Sequence, residues 1–182
     1  VKGPDACRFL QFLTTNDVST LTVGQCQYSL LCQDDGGIID DLLIYRKSQE
    51  YMLVVNAARK QIDWEWLQRF AGDFEVELTD KSDKTGLLAL QGPKSQEIID
   101  SMTDLNLDDI SYYHFSEGEI AGVNAIISRT GYTGEDGFEF YVDAGSTVTL
   151  WERLLDIGTP FGLKPAGLGS RDSLRLEVGF AL

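Results

Sequence analysis

The sequence predicts an α+β fold in which antiparallel sheets pack against helices. Runs of strand-forming residues follow one another with turn compositions between them, and helical patterns interrupt these runs singly instead of alternating with every strand. The chain has 182 residues, of which 43% are hydrophobic, enough for a substantial core in one large domain or two small ones. A soft boundary near 80–93 predicts two α+β halves, residues 1–85 and 86–182.

The first half is predicted to contain two helices and a strand meander. Helical spacing of apolar residues defines both helices; in the second, Ile62, Trp66 and Phe70 recur every fourth residue. Turn compositions at 34–37 and 47–50 separate the first three strands, which predicts an antiparallel meander. The helices are 4–14 and 58–71, and the strands are 25–33, 38–46, 51–56 and 74–79.

The second half is predicted to contain three strands and three helices. The Gly92-Pro93 pair ends the first strand, and a glycine-rich loop at 130–137 connects the other two. The strands are 86–91, 122–129 and 138–142, and the helices are 94–102, 147–157 and 170–178.

The composition excludes several classes of partner and site. With 15 basic and 29 acidic residues the formal net charge is −14, and no run of Lys or Arg occurs, so neither nucleic acid nor an anionic membrane is expected as a partner. No apolar run approaches the roughly 20 residues of a membrane span. Three cysteines without CxxC spacing and a single histidine predict no metal site and no disulfide framework, and they fit a reducing compartment.

Two adjacent carboxylates lie in the middle of an otherwise apolar predicted strand, in the segment GGIIDDLLIY at 36–45. Because successive side chains of a strand point to opposite faces, Asp40 shares a face with Ile38 and Leu42. Asp41 lies on the other face. A buried carboxylate costs several kcal/mol unless it is paired, protonated or hydrogen-bonded, so both acids need partners.

The turns on either side of this strand predict its register. If each turn is a four-residue loop, Leu30 and Asn56 both lie directly opposite Asp41, one on each neighbouring strand. An odd-length loop or a bulge would shift this pairing. The predicted register gathers four polar side chains on one face: Tyr28, Asp41, Tyr45 and Asn56.

Two phenol rings beside an Asp and an Asn combine flat apolar area with directional hydrogen bonding, which suits a planar heteroaromatic ligand. The same residues also fit a structural role, in which the tyrosines cover a helix and the Asp and Asn cap backbone groups. Taken alone, the four residues favour that structural role.

Two further elements are candidates for ligand binding. The loop RTGYTGEDGFE at 129–139 contains glycines that allow close backbone approach or positive φ, but it lacks a phosphate-loop ending and equally fits an ordinary hairpin connection. Glu139 is then either an edge-exposed charge or an acceptor for paired N–H donors. Ser170 is the predicted N-cap of the last helix, which places Arg171 in its first turn, where a cation needs a compensating carboxylate or ligand.

Seven segments resemble, in order and over nearly the whole chain, the motifs of the aminomethyltransferase (T-protein) family of the glycine cleavage system. They are GPDA at 3–6, LTTNDV at 13–18, GGIIDDLLIY at 36–45, LVVNA at 53–57, LALQGP at 88–93, RTGYTGEDGFE at 129–139 and AGLGSRDSLRLEVG at 166–179. The resemblance implies a partial folate-binding aminomethyltransferase-type fold that lacks the family's N-terminal segment and its C-terminal domain.

The resemblance also implies an activity. Such enzymes transfer the methylene of an aminomethyl group, borne on the lipoyl arm of H-protein, to tetrahydrofolate and release ammonia. A location in the bacterial cytoplasm, or in the mitochondrial matrix of a eukaryote, follows. Because part of the folate wall and the lipoyl entry would be missing, the isolated chain is expected to be inactive. The implied catalytic residue is Asp41, and the implied folate contacts are Tyr28, Asp41, Tyr45, Asn56, Tyr132, Glu139 and Arg171.

Two other functions fit a related fold. One is the folate-binding portion of a sarcosine or dimethylglycine oxidase, but the GxGxxG fingerprint of an FAD domain is absent from this sequence. The other is a non-catalytic folate-binding module resembling the iron–sulfur maintenance proteins, whose KGCYxGQ-type loop differs from GYTGEDG.

Overall fold

The computed structural model describes residues 1–181, and the chain forms two compact units. The first unit is Val1–Asp80, and the second begins at Lys81. Each combines helices with one antiparallel sheet, which confirms the predicted α+β class. The sequence placed the division at 85/86, a position inside the first strand of the second unit.

The first unit contains a three-stranded sheet of order β1-β2-β3 and two helices. Its elements are α1 (Ala6–Leu13), β1 (Cys26–Cys32), β2 (Ile38–Arg46), β3 (Tyr51–Val55) and α2 (Lys60–Ala71). Leu42 and Ile44 of β2 join Phe9 and Leu10 of α1 in one buried cluster. The opposite face of the sheet, which contains Asp41, lies outside this core.

A bulge interrupts the pairing of β1 with β2 close to their turn. Leu31 pairs with Asp40. The next residue of β1, Cys32, pairs with Ile38, so Ile39 is skipped. The extra residue reverses the alternation of side chains, and Ile39 joins the buried core while Ile38 is 63% exposed. The prediction that Ile38 shares a covered face with Asp40 is therefore wrong.

The stretch 74–79 was predicted as a strand, and that prediction is wrong. Only Glu77 pairs there, in an isolated bridge with Lys2. Phe74, Val76 and Leu78 pack against the core cluster instead. Their alternating apolar pattern is thus explained by side-chain packing without a strand ladder.

The second unit contains a four-stranded antiparallel sheet of order β4-β7-β6-β5. Its elements are β4 (Thr85–Gln91), α3 (Ser95–Ile99), β5 (Phe115–Ile120), β6 (Val123–Ser128), β7 (Gly137–Asp143), α4 (Thr147–Gly158) and α5 (Leu168–Glu177). Phe138, Phe140 and Leu150 are completely buried in its core. Within residues 1–181, no helix is both long enough and apolar enough to pass through a bilayer.

Strand β5 was not predicted, because its sequence FSEGEI contains few strand-forming residues. The glycine that weakens the strand signal is required by packing. A Cβ added at Gly118 would lie 2.8 Å from Leu105 Cδ1, so the side chain of Leu105 occupies that space. Only Phe115 and Ile120, at the two ends of the strand, are buried in it.

Helix α5 begins earlier than the sequence predicted. Gly167 is its N-cap residue and Leu168 its first residue, so the prediction that Ser170 caps the helix is wrong. Gly167 has the extended backbone of an N-cap residue, and because glycine has no side chain it accepts no capping hydrogen bond. Arg171 consequently lies at the end of the first turn.

Gly86 of β4 lies against the start of α4 with no room for a side chain. An ideal Cβ at this position would be 1.9 Å from Thr147 Oγ1 and 3.0 Å from Thr147 Cβ. We expect Gly86→Ala to lower the free energy of unfolding by about 1–3 kcal/mol, because overpacking forces α4 or its side chain to move. Urea denaturation measures the change.

Two further variants control this experiment. Thr147→Ala in the Gly86→Ala background should restore part of the lost stability, because it removes the clashing atoms. Gly169→Ala should cause no loss, since nothing outside its own helix in residues 1–181 lies within 4 Å of the added Cβ. Equal losses from Gly86→Ala and Gly169→Ala would contradict the packing argument.

Candidate active site

The carboxylate of Asp41 accepts hydrogen bonds from two neighbouring strands' side chains. Tyr28 Oη donates to Asp41 Oδ2 over 2.8 Å, and Asn56 Nδ2 donates to Asp41 Oδ1. Tyr28 is 40% exposed, Asp41 is half-buried and Asn56 is exposed. The sheet therefore presents a fixed carboxylate, flanked by a phenol ring and an amide, on the face opposite the core.

Backbone pairing explains why these three side chains meet. Leu30 of β1 pairs with Asp41, as predicted, which puts Tyr28 diagonally beside it. Leu42 pairs with Val55, the last residue of β3. Asn56 follows directly and lies opposite Asp41. The predicted register is thus confirmed around Asp41, although the turn differs from the prediction. Gln33 pairs with Gly37 through a 2.8 Å hydrogen bond from its N–H, so the loop is one residue shorter than predicted, and the bulge offsets this difference before Asp40.

Tyr45, the fourth residue predicted for this face, is placed differently from Tyr28. Tyr45 lies directly opposite Cys26 of β1 and Met52 of β3, and the three side chains share one face of the sheet. Its side chain is completely buried, at 0% exposure. Tyr28, Asp41 and Asn56 form one hydrogen-bonded group, and Tyr45 is a buried side chain on the same strand.

Asp63 of α2 was missed by the sequence analysis. Its side chain is only 1% exposed, and a hydrogen bond to the neighbouring carboxyl of Asp40 forms when one of the two is protonated. Burial first, and then this hydrogen bond and the charges of Asp40 and Asp41, raise the pKa of Asp63 to about 7; the charge of Arg59 acts in the opposite direction. Protonation of Asp63 is therefore favoured up to a higher pH than for an ordinary aspartate.

The periodicity of α2 contained a signal for this residue. Asp63 lies four residues before Leu67, and these two are the buried residues of the helix. The predicted apolar stripe began instead at Ile62, which is 44% exposed. An acid on the core-facing stripe of a helix indicates a buried partner.

Asp40 also contacts Asp41's amide partner. Asn56 Nδ2 lies 3.1 Å from Asp40 Oδ1 as well as against Asp41. Asp40 therefore belongs to the same hydrogen-bond network as Asp41, although adjacent strand residues point to opposite faces. Within residues 1–181, no three His, Cys, Asp or Glu side chains are arranged to hold a metal ion.

The second unit brings together the three other predicted site residues. Thr130 Oγ1 donates to Glu139 Oε2 over 2.5 Å. The Arg171 guanidinium lies 4.5 Å from the centre of the Tyr132 ring, a cation–π contact instead of the carboxylate or ligand that the sequence predicted. Burial raises the pKa of Glu139, while the hydrogen bond with Thr130 and the charge of Arg171 act in the opposite direction.

The glycine-rich loop is held by contacts within the second unit. The amide of Gln91 occupies the space beside two of its glycines: an added Cβ would lie 1.9 Å from Gln91 Oε1 at Gly131 and 2.6 Å from Gln91 Cδ at Gly137. Gly134 has φ +79°, and its Cβ would lie 2.2 Å from Val178 Cγ1. Glycine is needed at these positions by the packing of the loop itself.

Arg129, just before this loop, is hydrogen-bonded to Asp136 near the loop's other end. Its Nε and Nη2 donate to the two carboxylate oxygens of Asp136 over 2.8 and 2.6 Å. Nη1 donates to the carbonyl oxygens of Leu107 and Ile110, and Nη2 also to Gln96 Oε1. The hydrogen bond with Arg129 holds the pKa of Asp136 below its usual range.

The GCVT N-terminal domain family matches residues 1–182. The chain belongs to this family. It is 51% identical over its full length to an aminomethyltransferase of Caldanaerobacter subterraneus subsp. tengcongensis, of which it covers 49%. It is 49% identical to an aminomethyltransferase of Chloroherpeton thalassium and covers 51% of it. The chain thus spans about half the length of the curated relatives it matches.

Solved structures agree with this family assignment. Glycine cleavage system aminomethyltransferase T from Bartonella henselae superposes on 100% of the chain with a TM-score of 0.87 and 36% identity; the match covers 48% of that protein. The heterotetrameric sarcosine oxidase of Corynebacterium sp. U-96 has a TM-score of 0.58 and 16% identity, and the match covers 80% of this chain and 69% of that one. The second likeness shows the fold alone.

We expect Arg129→Lys to loosen the glycine-rich loop of this domain. Lysine keeps the charge, but it cannot form the bidentate hydrogen bond to Asp136 and the hydrogen bonds to the backbone carbonyls at the same time. The free energy of unfolding should fall by about 1–3 kcal/mol, and amide hydrogen exchange in 130–137 should become faster. Denaturant unfolding and mass-spectrometric hydrogen exchange measure the two effects.

The pH dependence and a control sharpen this test. Because the pKa of Asp136 is lowered in the fold, the stabilisation is present above its usual pKa and is lost as the pH falls through the lowered value. Arg8→Lys is the control, since Arg8 makes an exposed ion pair with Asp5, and its effect should stay within about 0.5 kcal/mol. Unchanged exchange in Arg129→Lys would contradict this role of Arg129.

Proposed function

We propose that this chain is the folate-binding part of a tetrahydrofolate-dependent aminomethyltransferase of glycine cleavage. In the proposed reaction, the methylene of S-aminomethyldihydrolipoyl H-protein passes to tetrahydrofolate and ammonia is released. The observation that supports this proposal most directly is the carboxylate of Asp41, which Tyr28 and Asn56 hold on the non-core face of the sheet.

The residues of the first unit fit a folate. Tyr28 offers a partly exposed ring on which a flat heterocycle can lie. Tetrahydrofolate would supply the nucleophilic nitrogen that accepts the methylene. Asp41, fixed by two donors, places a negative charge where positive charge develops during the transfer, and a fixed charge of this kind needs no reorganisation at the moment of reaction. Its proposed role is charge stabilisation and positioning more than proton abstraction.

The residues of the second unit fit the binding of a pterin's N–H donors. One ionised carboxylate can accept both a ring N–H and an adjacent amino group. Glu139 is the proposed acceptor, and the Thr130 hydroxyl already orients it. Tyr132 and Arg171, which stack on one another, are proposed as further folate contacts.

The partner and the location are proposed on the same basis. A lipoyl-bearing H-protein would present the aminomethyl group, because the relative from Bartonella henselae is named as part of the glycine cleavage system. The relatives from Caldanaerobacter and Chloroherpeton are bacterial proteins, which supports the bacterial cytoplasm. Identity near 50% to aminomethyltransferases weighs against the sarcosine oxidase alternative, which rests on 16% identity.

Asp41→Asn should lower kcat by about 100-fold or more and change the affinity for tetrahydrofolate much less. The substitution keeps the shape of the side chain and removes the charge that the transfer requires. Turnover is measured with aminomethylated H-protein on the full polypeptide that contains these residues. Asp73→Asn, at an exposed position of the first unit, is the control. Equal losses in turnover and affinity would contradict the assigned role.

Glu139→Gln should weaken the binding of 5-formyltetrahydrofolate about tenfold, because one charge-assisted hydrogen bond becomes neutral. Burial raises the pKa of Glu139, so affinity in the parent protein should decline as the pH falls towards that raised value. In the variant this decline should be absent. Isothermal titration calorimetry provides both measurements, with Glu135→Gln in the exposed part of the loop as control. Equal affinities of Glu139→Gln and the parent would exclude Glu139 as a ligand.

A further inference from the structure

A buried acid pair lies between β2 and α2, next to the proposed catalytic carboxylate, and the function proposed above does not use it. Asp63 is 1% exposed, and both of its oxygens, together with Asp40 Oδ2, are buried without any N–H or O–H donor in residues 1–181. Two carboxylates can only accept hydrogen bonds. The contact between Asp63 and Asp40 is therefore satisfied only when one of them is protonated.

The surrounding charges place the proton on Asp63. Asp41 adds negative charge from β2, and Arg59, just before α2, supplies the positive charge. Arg59 is itself engaged, since its Nη2 donates to Ile39 O over 2.6 Å. Asp40 has a further donor in Asn56 Nδ2, at 3.1 Å from Oδ1. Asp63 has no such donor and is the neutral partner.

The contacts form a continuous chain that ends at Asp41. A protonated Asp63 can donate to Asp40, and Asn56 Nδ2 donates to both Asp40 and Asp41. The amide of Asn56 has two N–H donors, and its Nδ2 lies against Asp40 Oδ1, Asp41 Oδ1 and the Asp41 carbonyl oxygen. Asp63 thereby acts on Asp41 through two intermediate side chains.

We propose that Asp63 is a positioning residue, which in its protonated form holds Asp40 and Asn56 so that Asn56 orients the carboxylate of Asp41. This inference rests on the proposed function for its effect on turnover, but the shared proton itself does not. Loss of the proton sets Asp63 against Asp40 as like charges, and the chain of hydrogen bonds breaks at its first link.

The first experiment measures the proton directly and needs no substrate. Carbon-detected NMR of the parent protein, with Asp63 assigned by comparison with Asp63→Asn, follows the Asp63 carboxyl as the pH is changed. A titration midpoint near 7 is expected. A midpoint near the usual value for Asp, about 4, would overturn the proposal even if the enzyme is an active aminomethyltransferase.

The second experiment separates positioning from a purely structural role. Asparagine at position 63 donates to Asp40 at every pH, whereas leucine fills the buried space and donates nothing. In the full polypeptide that contains these residues, the parent's kcat should fall about tenfold between pH 6.5 and 8.5 as Asp63 ionises, and the Asp63→Asn profile should lack this fall. Asp63→Leu should have a low kcat throughout while it stays folded. Glu65→Gln, on the exposed side of the same helix, should keep the parent profile.

The pH dependence of stability is an independent check. A carboxyl whose pKa is raised by folding stabilises the fold fully below its unfolded pKa, and this contribution is lost as the pH rises through the folded value. The melting temperature of the parent relative to Asp63→Asn should therefore decrease between about pH 4 and pH 7. Parallel melting curves and identical kcat profiles for the two proteins would overturn the proposal. An inactive full polypeptide with the expected NMR titration would count against the proposed function and in favour of the shared proton.

Discussion

The pairing of β2 with a neighbour on each side is the constraint on which the site of the first unit depends. Each ladder brings one side chain to Asp41: β1 contains Tyr28, and Asn56 is the first residue after β3. A slip of one residue in either ladder would turn that side chain to the opposite face. The geometry of the carboxylate therefore follows from backbone hydrogen bonds, which are more rigid than the contacts of a loop.

The two units stabilise their acidic side chains by different physical means. In the second unit, Asp136 is charged and accepts two hydrogen bonds from the guanidinium of Arg129, which also donates to a backbone carbonyl. In the first unit, Asp63 is buried, and its burial and the neighbouring Asp40 raise its pKa, which favours the neutral form. An ion pair keeps its strength over a wide pH range, whereas a shared proton makes the surrounding structure sensitive to pH near neutrality.

The sequence was most informative where a local pattern determined the structure. Turn lengths and alternation were enough to predict that Asn56 lies opposite Asp41. Features that depend on tertiary packing were missed. Strand β5 was missed because it contains Gly118, which is needed where the side chain of Leu105 fills the space. Asp63 was missed because the sequence does not show which side of α2 faces the sheet. No rule of periodicity locates a proton shared between residues of two different elements.

The bulge at Ile39 has a practical consequence for altering this protein. It lies between the 34–37 turn and Asp41, and it already absorbs a mismatch of one residue between the two strands. The turn is exposed, and exposed turns accept added residues. A short peptide tag or a fluorescent label inserted there would leave the ladder beyond Asp40 in register, which makes this turn a suitable attachment point for a reporter beside the proposed folate-binding face.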